Sequence, residues 1–307
     1  MTTLECTVNT SNLNLQNLTT LTRLTSLQLK GGGVRIKIAD NIGQLQPLTQ
    51  LQTLHLERFD GLPASIASLS ALKSLDLVNG TGNSYDLNGL KQLKHLYIEW
   101  DRAAQVASRR LILPTGGHVS LCTMMLAAPA IESACIDFMS GLEAASELRQ
   151  LVLFQVHPHL SIQAQWPQNM PRLDTIKLIG SSCALPSEWV QYSALQELNL
   201  SRMAHAACPD WFSGLTMLTK LSLQKAALTE FPICVMLLSQ LAALDLSHIS
   251  PPLILPAIIT EFSDWMSLTK LHFRLLSNQS ESYNMESQLN LLQLQANLGY
   301  RSSLLLI

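Results

Sequence analysis

The 307-residue sequence has few charges and no long apolar run, and each absence excludes a class of protein. Charged residues make up 14% of the chain, against roughly one quarter in typical soluble proteins, and the net charge is −2. So small a net charge gives no global field for nucleic acid or an anionic membrane, and we expect neither as a partner. The N-terminus has no basic region followed by an apolar run, so no secretory signal peptide is expected, and no stretch suggests a membrane span.

Paired cysteines are also missing. The six cysteines are scattered without a C-x-x-C pair, at Cys6, Cys122, Cys135, Cys183, Cys208 and Cys234. This spacing favours reduced, largely buried thiols over a disulfide framework or a zinc site. We therefore expect the protein to act in a cytoplasm.

Leucine, in contrast, recurs at regular intervals. Residues 215–246 contain two L-x-x-L-x-L segments 23 residues apart, made by Leu218, Leu221, Leu223 and then Leu241, Leu244, Leu246. The L-x-L core alternates like a strand, and the intervening FPICVMLLSQL spaces its apolar residues like one face of a short helix. One such unit cannot bury its own leucines, so the pattern predicts a solenoid of stacked units.

The same spacing predicts strands along most of the chain. Their central residues are Leu27, Leu54, Leu75, Leu96, Ile176, Leu198, Leu221, Leu244 and Leu271. The rhythm is irregular over residues 99–170, where we expect strands at Leu111–Leu113, Ile131–Ile136 and Leu148–Leu153. The segment HVSLCTMMLAAPA is apolar enough to be predicted as helical.

The L-x-x-L-x-L segments followed by LP-x-x-I, as in LPASIASLSALKSLDL, resemble the leucine-rich repeat of intracellular proteins. Bacterial proteins, including secreted effectors, and plant immune receptors have repeats of this kind. The resemblance implies an α/β solenoid with a parallel sheet on the concave face and short helices or 3₁₀ turns on the convex face. It implies about 10–12 repeats over residues 18–273, with caps at 1–17 and 274–307.

One feature of the family is missing. Its repeat has Asn or Cys three residues after the second strand leucine, where the side chain binds turn carbonyls. Here that position holds Gly32, Phe59, Gly80, Asp101, Ser181, Met203, Ala226 and Ile249. The loop carbonyls must therefore find other partners.

The variable residues beside the strand leucines should point outward on the concave face. Repeats two to six place aromatic, histidine and acidic residues there, together with Cys135 and Asp137, whereas later repeats place mostly small polar ones. Exposed aromatics surrounded by charge are typical of protein-binding surfaces, so we predict Tyr97 and Trp100 as anchors. The full set of predicted partner-binding residues is His55, Glu57, Arg58, His95, Tyr97, Glu99, Trp100, Phe138 and Phe154. The alternative is that these rings lean on neighbouring coils and only cover the sheet.

Catalytic and metal sites are not indicated. His55 and His95 belong to strands two coils apart, about 9–10 Å, which is too far for one zinc ion. His118 and Cys122 could face each other on a helix, but no third group is present to orient them. We expect no metal, no cofactor and no catalytic residue.

These observations predict a non-catalytic, monomeric module that binds a partner protein through its concave face. The resemblance implies a bacterial protein that acts in the bacterial cytoplasm, or in a host's cytoplasm after secretion as an effector. An alternative is the recognition fragment of a larger immune-type receptor. A third alternative is an enzyme whose active site lies in the region of His118 and Cys122.

Overall fold

The computed structural model describes residues 2–11, 20–38, 45–62, 64–101, 108–115, 119–128, 135–137, 141–155, 157–158, 166–168, 170–181, 185–203, 209–228, 230–249, 267–273 and 303–306. The chain divides into two compact units. Unit 1 is Met1–Arg172, and unit 2 is Leu173–Ile307.

Unit 1 is built from short parallel strands. Its described strands are β1 Thr3–Val8, β2 Ser26–Gly31, β3 Thr53–Glu57, β4 Ser74–Gly80, β5 Ser84–Asp86, β6 His95–Trp100, β7 Ser108–Ile112, β8 Thr123–Ala127, β9 Cys135–Asp137, β10 Gln150–Phe154 and β11 His157–Pro158. The main sheet has the order β1-β2-β3-β4-β6-β8-β10, and its neighbouring strands are parallel. A second parallel sheet has the order β5-β7-β9-β11.

The main sheet forms because the repeated leucines stack in register. One row runs through consecutive strands as Leu27, Leu54, Leu75, Leu96, Met124 and Leu151. Each of these side chains is at most 2% exposed, and burial of one such side chain stabilises the fold by about 1.5–3 kcal/mol. The predicted solenoid with a parallel sheet is confirmed.

The irregular part of the chain corrects two predictions. The predicted helix in HVSLCTMMLAAPA is wrong, because it contains strand β8 between β6 and β10. The strands predicted near 111–113 and 131–136 correspond to β7 and β9, which belong to the second sheet. Cys135 and Asp137 are therefore not part of the main sheet, contrary to expectation.

The second sheet takes one strand from each of four successive coils. In order along the chain, β5, β7, β9 and β11 each follow one main-sheet strand: β4, β6, β8 and β10. These coils differ in length: Leu75 and Leu96 are 21 residues apart (96 − 75) and enclose β5, whereas Leu96 and Met124 are 28 residues apart (124 − 96) and enclose β7. In each case parallel pairing with the neighbouring coil satisfies the backbone groups of the second strand.

Unit 2 repeats the same arrangement. Its described strands, in chain order, are β12 Thr175–Ile179, β13 Glu197–Asn199, β14 Lys220–Ser222, β15 Ala243–Leu246, β16 Lys270–Phe273 and β17 Ser303–Leu306. Neighbours pair in parallel, with the predicted leucines opposite each other. The cap boundaries at 17 and 274 stay predictions, although β1 and β17 both pair with the strands beside them.

The described helices are all single 3₁₀ turns. They are Ala64–Ser68 and Leu142–Ala144 in unit 1, and Ser187–Gln191, Asp210–Gly214 and Ile233–Leu237 in unit 2. In unit 2 each begins directly after a proline, whose fixed φ suits the start of a helix. None of the helices in the described ranges has the length and apolar character needed to span a bilayer.

Arg35 takes over part of the role of the missing asparagines. Its guanidinium donates hydrogen bonds to the carbonyl oxygens of Phe59 (3.2 Å) and Asn79 (2.7 Å), and it forms an ion pair with Asp101. These three partners belong to three successive coils. The expectation that loop carbonyls find other partners is confirmed at this position.

Apolar side chains occupy several of the other positions where the repeat pattern has asparagine. Phe59 is fully buried, and Met203, Ala226 and Ile249 are at most 7% exposed. At these positions hydrophobic contacts stabilise the turns in place of the asparagine hydrogen bonds.

Candidate functional site

The main sheet of unit 1 has an outward surface that we call the outer face. It consists of the β3, β4, β6, β8 and β10 residues that alternate with the buried row. Its central column is His55, Asp76, Tyr97, Met125 and Val152, aligned residue against residue. A second column, nearer the carboxyl ends of the strands, is Glu57, Val78, Glu99, Ala127 and Phe154. Adjacent strands of a sheet lie about 4.8 Å apart, so neighbours in a column can contact one ligand together.

Polar contacts fix several of these side chains. The Tyr97 hydroxyl donates a hydrogen bond to Oε2 of Glu99 at 2.7 Å. Nδ1 of His95 lies 2.9 Å from Oγ1 of Thr123, and Nδ1 of His55 lies 3.8 Å from a carboxylate oxygen of Asp76. The face therefore presents side chains held in place before any partner binds, which lowers the entropy lost on binding.

The surroundings of Tyr97 are electronegative. Burial raises the pKa of its hydroxyl well above the ordinary value, and the hydrogen bond to Glu99 and the negative charges of Glu99 and Asp76 raise this pKa further. Each of these causes disfavours the phenolate. Tyr97 therefore stays neutral and acts as a hydrogen-bond donor and an aromatic surface.

A cavity of about 310 Å³ opens on the outer face. Its lining includes Asp76, His95, Tyr97, Thr123, Met125 and Val152. Met125 is 39% exposed, an unusual value for a large apolar side chain in the middle of a sheet. The volume lies at the lower end of the range for small-ligand pockets, and it suits one large side chain of a partner.

Trp100 does not belong to this face. The prediction that it anchors a partner is wrong, because its side chain is only 1% exposed. Strand alternation gives the reason: Tyr97 and Glu99 point outward on β6, so Trp100 points inward. There it stacks on Tyr85 of the second sheet, with ring centroids 5.8 Å apart, and the guanidinium of Arg109 lies 5.3 Å from its ring centroid. Trp100 joins the two sheets of unit 1.

The remaining predicted residues lie at different places. The structure brings His55, Glu57, His95, Tyr97 and Glu99 together on the outer face. Arg58 is exposed just beyond β3 with a left-handed φ of 58°, and Phe154 is half-buried at the end of β10. Phe138 lies outside the described residues. Their role in binding stays a prediction.

Sequence reasoning missed Met125, the most exposed apolar side chain of the face. It was missed because its segment was interpreted as a helix. The signal was present, since Leu121, Met124 and Leu126 keep the L-x-x-L-x-L spacing with methionine in the central position. A search that accepted methionine in that position would have placed Met125 in the central column.

Metal ligands are not grouped on this surface. Within the ranges that the structure describes, no three His, Cys, Asp or Glu side chains come together in a way that could hold a metal ion. The His55–Asp76 and His95–Thr123 pairs are polar contacts between neighbouring strands of the sheet.

Comparison with known proteins identifies the fold. No protein-family model matches the sequence, and no curated protein is similar to it in sequence. Among solved structures, the internalin InlF of Listeria monocytogenes matches with a TM-score of 0.59 and 18% identity, over 94% of this chain and 84% of that one. The chain has the leucine-rich-repeat fold. This conclusion rests on the parallel in-register strands and the recurring leucines together with that match.

Two further solved structures are similar in fold. TLR13, solved in complex with ssRNA13, matches with a TM-score of 0.59 and 19% identity over 93% of this chain. RP105 of mouse, solved in complex with MD-1, matches with a TM-score of 0.59 and 20% identity over 86% of this chain. The chain covers only 45% and 44% of those two proteins, respectively. At these identities the similarity establishes the fold alone.

Proposed function

We propose that this leucine-rich-repeat protein is a non-catalytic module that binds a partner protein on the outer face of unit 1. The observation that carries the proposal is the cavity beside Tyr97 and the exposed Met125, flanked by fixed polar side chains. An apolar centre with a polar rim is the usual composition of a protein-binding surface.

A protein is a better fit to this face than a nucleic acid. Glu57, Asp76 and Glu99 give the face negative charge, which repels a phosphate backbone. TLR13 was solved with ssRNA13, but an RNA ligand would need basic side chains in place of these carboxylates.

We further propose that the protein acts in a cytoplasm, as a bacterial protein or as an effector delivered into a host cell. Cys6 and Cys122 support this proposal, since they are free and partly exposed thiols that a reducing compartment would preserve. The alternative is the recognition part of a larger receptor. It is favoured by the similarity to TLR13 and RP105, of which the chain covers less than half.

The test is capture from bacterial and mammalian cell lysates by the immobilised protein and by its Met125→Glu variant. Met217→Glu is the matched control, since Met217 is 49% exposed but lies in the turn before β14 of unit 2. We expect a protein that the unaltered chain and the control retain and that Met125→Glu loses. If all three forms retain the same proteins, the proposed face is wrong. Capture from mammalian lysate alone would favour the effector role.

A further inference from the structure

The outer face is acidic at one end. Glu57 on β3, Asp76 on β4 and Glu99 on β6 bring three carboxylates onto three neighbouring strands. The lysine of the adjacent strand β2, Lys30, lies 3.0 Å from Glu5, so its charge is already paired. Arg58, just beyond the end of β3, adds one positive charge nearby. The three carboxylates therefore leave an excess of negative charge on this part of the face.

Tyr97 lies on β6, at the edge of this acidic end that is next to β8. Its hydroxyl is bound to Glu99, and Asp76 is its neighbour in the central column. An aromatic ring attracts a cation over its face, and carboxylates form strong hydrogen bonds with ammonium and guanidinium groups. The raised pKa of the Tyr97 hydroxyl, due first to burial and then to Glu99 and Asp76, is consistent with this negative potential.

The other end of the face is apolar. Met125 on β8 is 39% exposed, and its neighbour in the column, Val152 on β10, is only 6% exposed and borders the cavity. Leu96 and Met124 also border the cavity between the two ends, although their side chains belong to the buried row of the sheet. Ala127, in the second column on β8, is small, uncharged and only 7% exposed, so Met125 is the apolar contact that β8 offers to a partner.

We propose that the partner presents an extended segment with a lysine or arginine and, two to four residues away, a large apolar side chain. The cation would lie over Tyr97 between Asp76 and Glu99, and the apolar side chain would fill the cavity against Met125. The spacing follows from geometry: the cation position midway between β4 and β6 and the apolar position midway between β8 and β10 are two strands, or roughly 10 Å, apart, and an extended chain rises about 3.3 Å per residue. This inference rests on the proposed function and names the chemistry of the partner.

The probe is a displayed library of random linear 12-residue peptides, selected on the full-length protein and counter-selected on Met125→Glu. The affinity of the most enriched peptide is then measured for Asp76→Asn, Glu99→Gln and Met125→Glu. Glu99→Gln keeps an oxygen that can accept the Tyr97 hydrogen bond. The control is Glu143→Gln, which removes the same charge from an exposed 3₁₀ turn outside the sheet.

We expect enriched peptides to carry Lys or Arg two to four positions from Leu, Met or Phe. Each carboxylate variant should weaken binding by about two- to fivefold, as for partly exposed ion pairs, and raising the salt concentration should weaken binding further. Met125→Glu should weaken it by about tenfold or more, and Glu143→Gln should leave it unchanged.

Two failures can be distinguished. If Met125→Glu abolishes binding but the enriched peptides are neutral or acidic, or the carboxylate variants bind equally well, the cationic segment is excluded while the proposed face stands. If no enriched peptide depends on Met125, both the face and its proposed partner chemistry are contradicted.

Discussion

Replacing Arg35 by alanine should destabilise unit 1 more than any other single surface arginine substitution. The change removes two hydrogen bonds, to the carbonyls of Phe59 and Asn79, and the ion pair with Asp101. Hydrogen bonds that involve a charged group contribute about 1.5–3 kcal/mol each. Because the Arg35 side chain is 34% exposed, water can replace part of this loss. We therefore expect the free energy of unfolding to fall by about 2–4 kcal/mol in total.

The assay is urea unfolding followed by tryptophan fluorescence, together with the thermal midpoint. Trp100 reports on unit 1 because it is buried between the two sheets of that unit. A loss of 2–4 kcal/mol corresponds to a fall in Tm of about 4–16 °C for a unit of this size. The unfolding free energy of Arg35→Lys should lie between those of the unaltered chain and Arg35→Ala, since one ammonium group cannot replace a planar group that donates to three partners.

The control is Arg23→Ala, which removes an exposed arginine elsewhere in unit 1 and should change the unfolding free energy by less than about 0.5 kcal/mol. If Arg35→Ala is as mild as Arg23→Ala, water satisfies the loop carbonyls and Arg35 has no structural role. Arg35 would then not replace the missing asparagines.

Two further predictions concern packing and pH. Gly80→Ala should destabilise unit 1 by about 1–3 kcal/mol in urea unfolding, since the added Cβ would overlap the Tyr85 hydroxyl and the Phe59 ring. Gly61→Ala, whose Cβ would meet no atom within 4 Å, should be almost neutral, and equal effects would contradict the packing. The folded-state pKa of Tyr97 is raised above its ordinary value of 10.0. Its contribution to stability is therefore complete below pH 10 and declines as the pH rises above that value. Unfolding measured between pH 9 and about 11 should show a shallower decline for Tyr97→Phe, and identical slopes would count against the assignment.

The regular repeats were predictable because the position of each strand follows from the spacing of leucines close together in the sequence. A leucine at every second strand position must point inward, and only a neighbouring coil can cover it, so spacing alone placed strands such as β3, β4 and β14. The in-register rows of buried leucines are the direct consequence.

The second sheet could not be predicted in this way. In the stretch between β4 and β10, a second strand in each coil pairs with its equivalent in the next coil. That pairing depends on contacts between residues far apart in sequence, such as Tyr85 and Leu111, and no local period reports it.

The outer face was predicted only in part. Alternation placed His55, Asp76 and Tyr97 correctly in one column, and the same rule, applied one residue further, would have turned Trp100 inward. The replacement of asparagine by Arg35 had no sequence signal, because the arginine lies on a different coil from each carbonyl that it binds.

The most direct test of the central claim is site-specific photocrosslinking. p-Benzoylphenylalanine is placed at position 125 on the outer face, and at position 217 in unit 2 as the control, since both methionines are exposed. After irradiation in the lysate that yields the partner, we predict a cross-linked partner protein from position 125 and none from position 217. A partner that cross-links from position 217, or equally from both positions, would contradict binding on the outer face of unit 1.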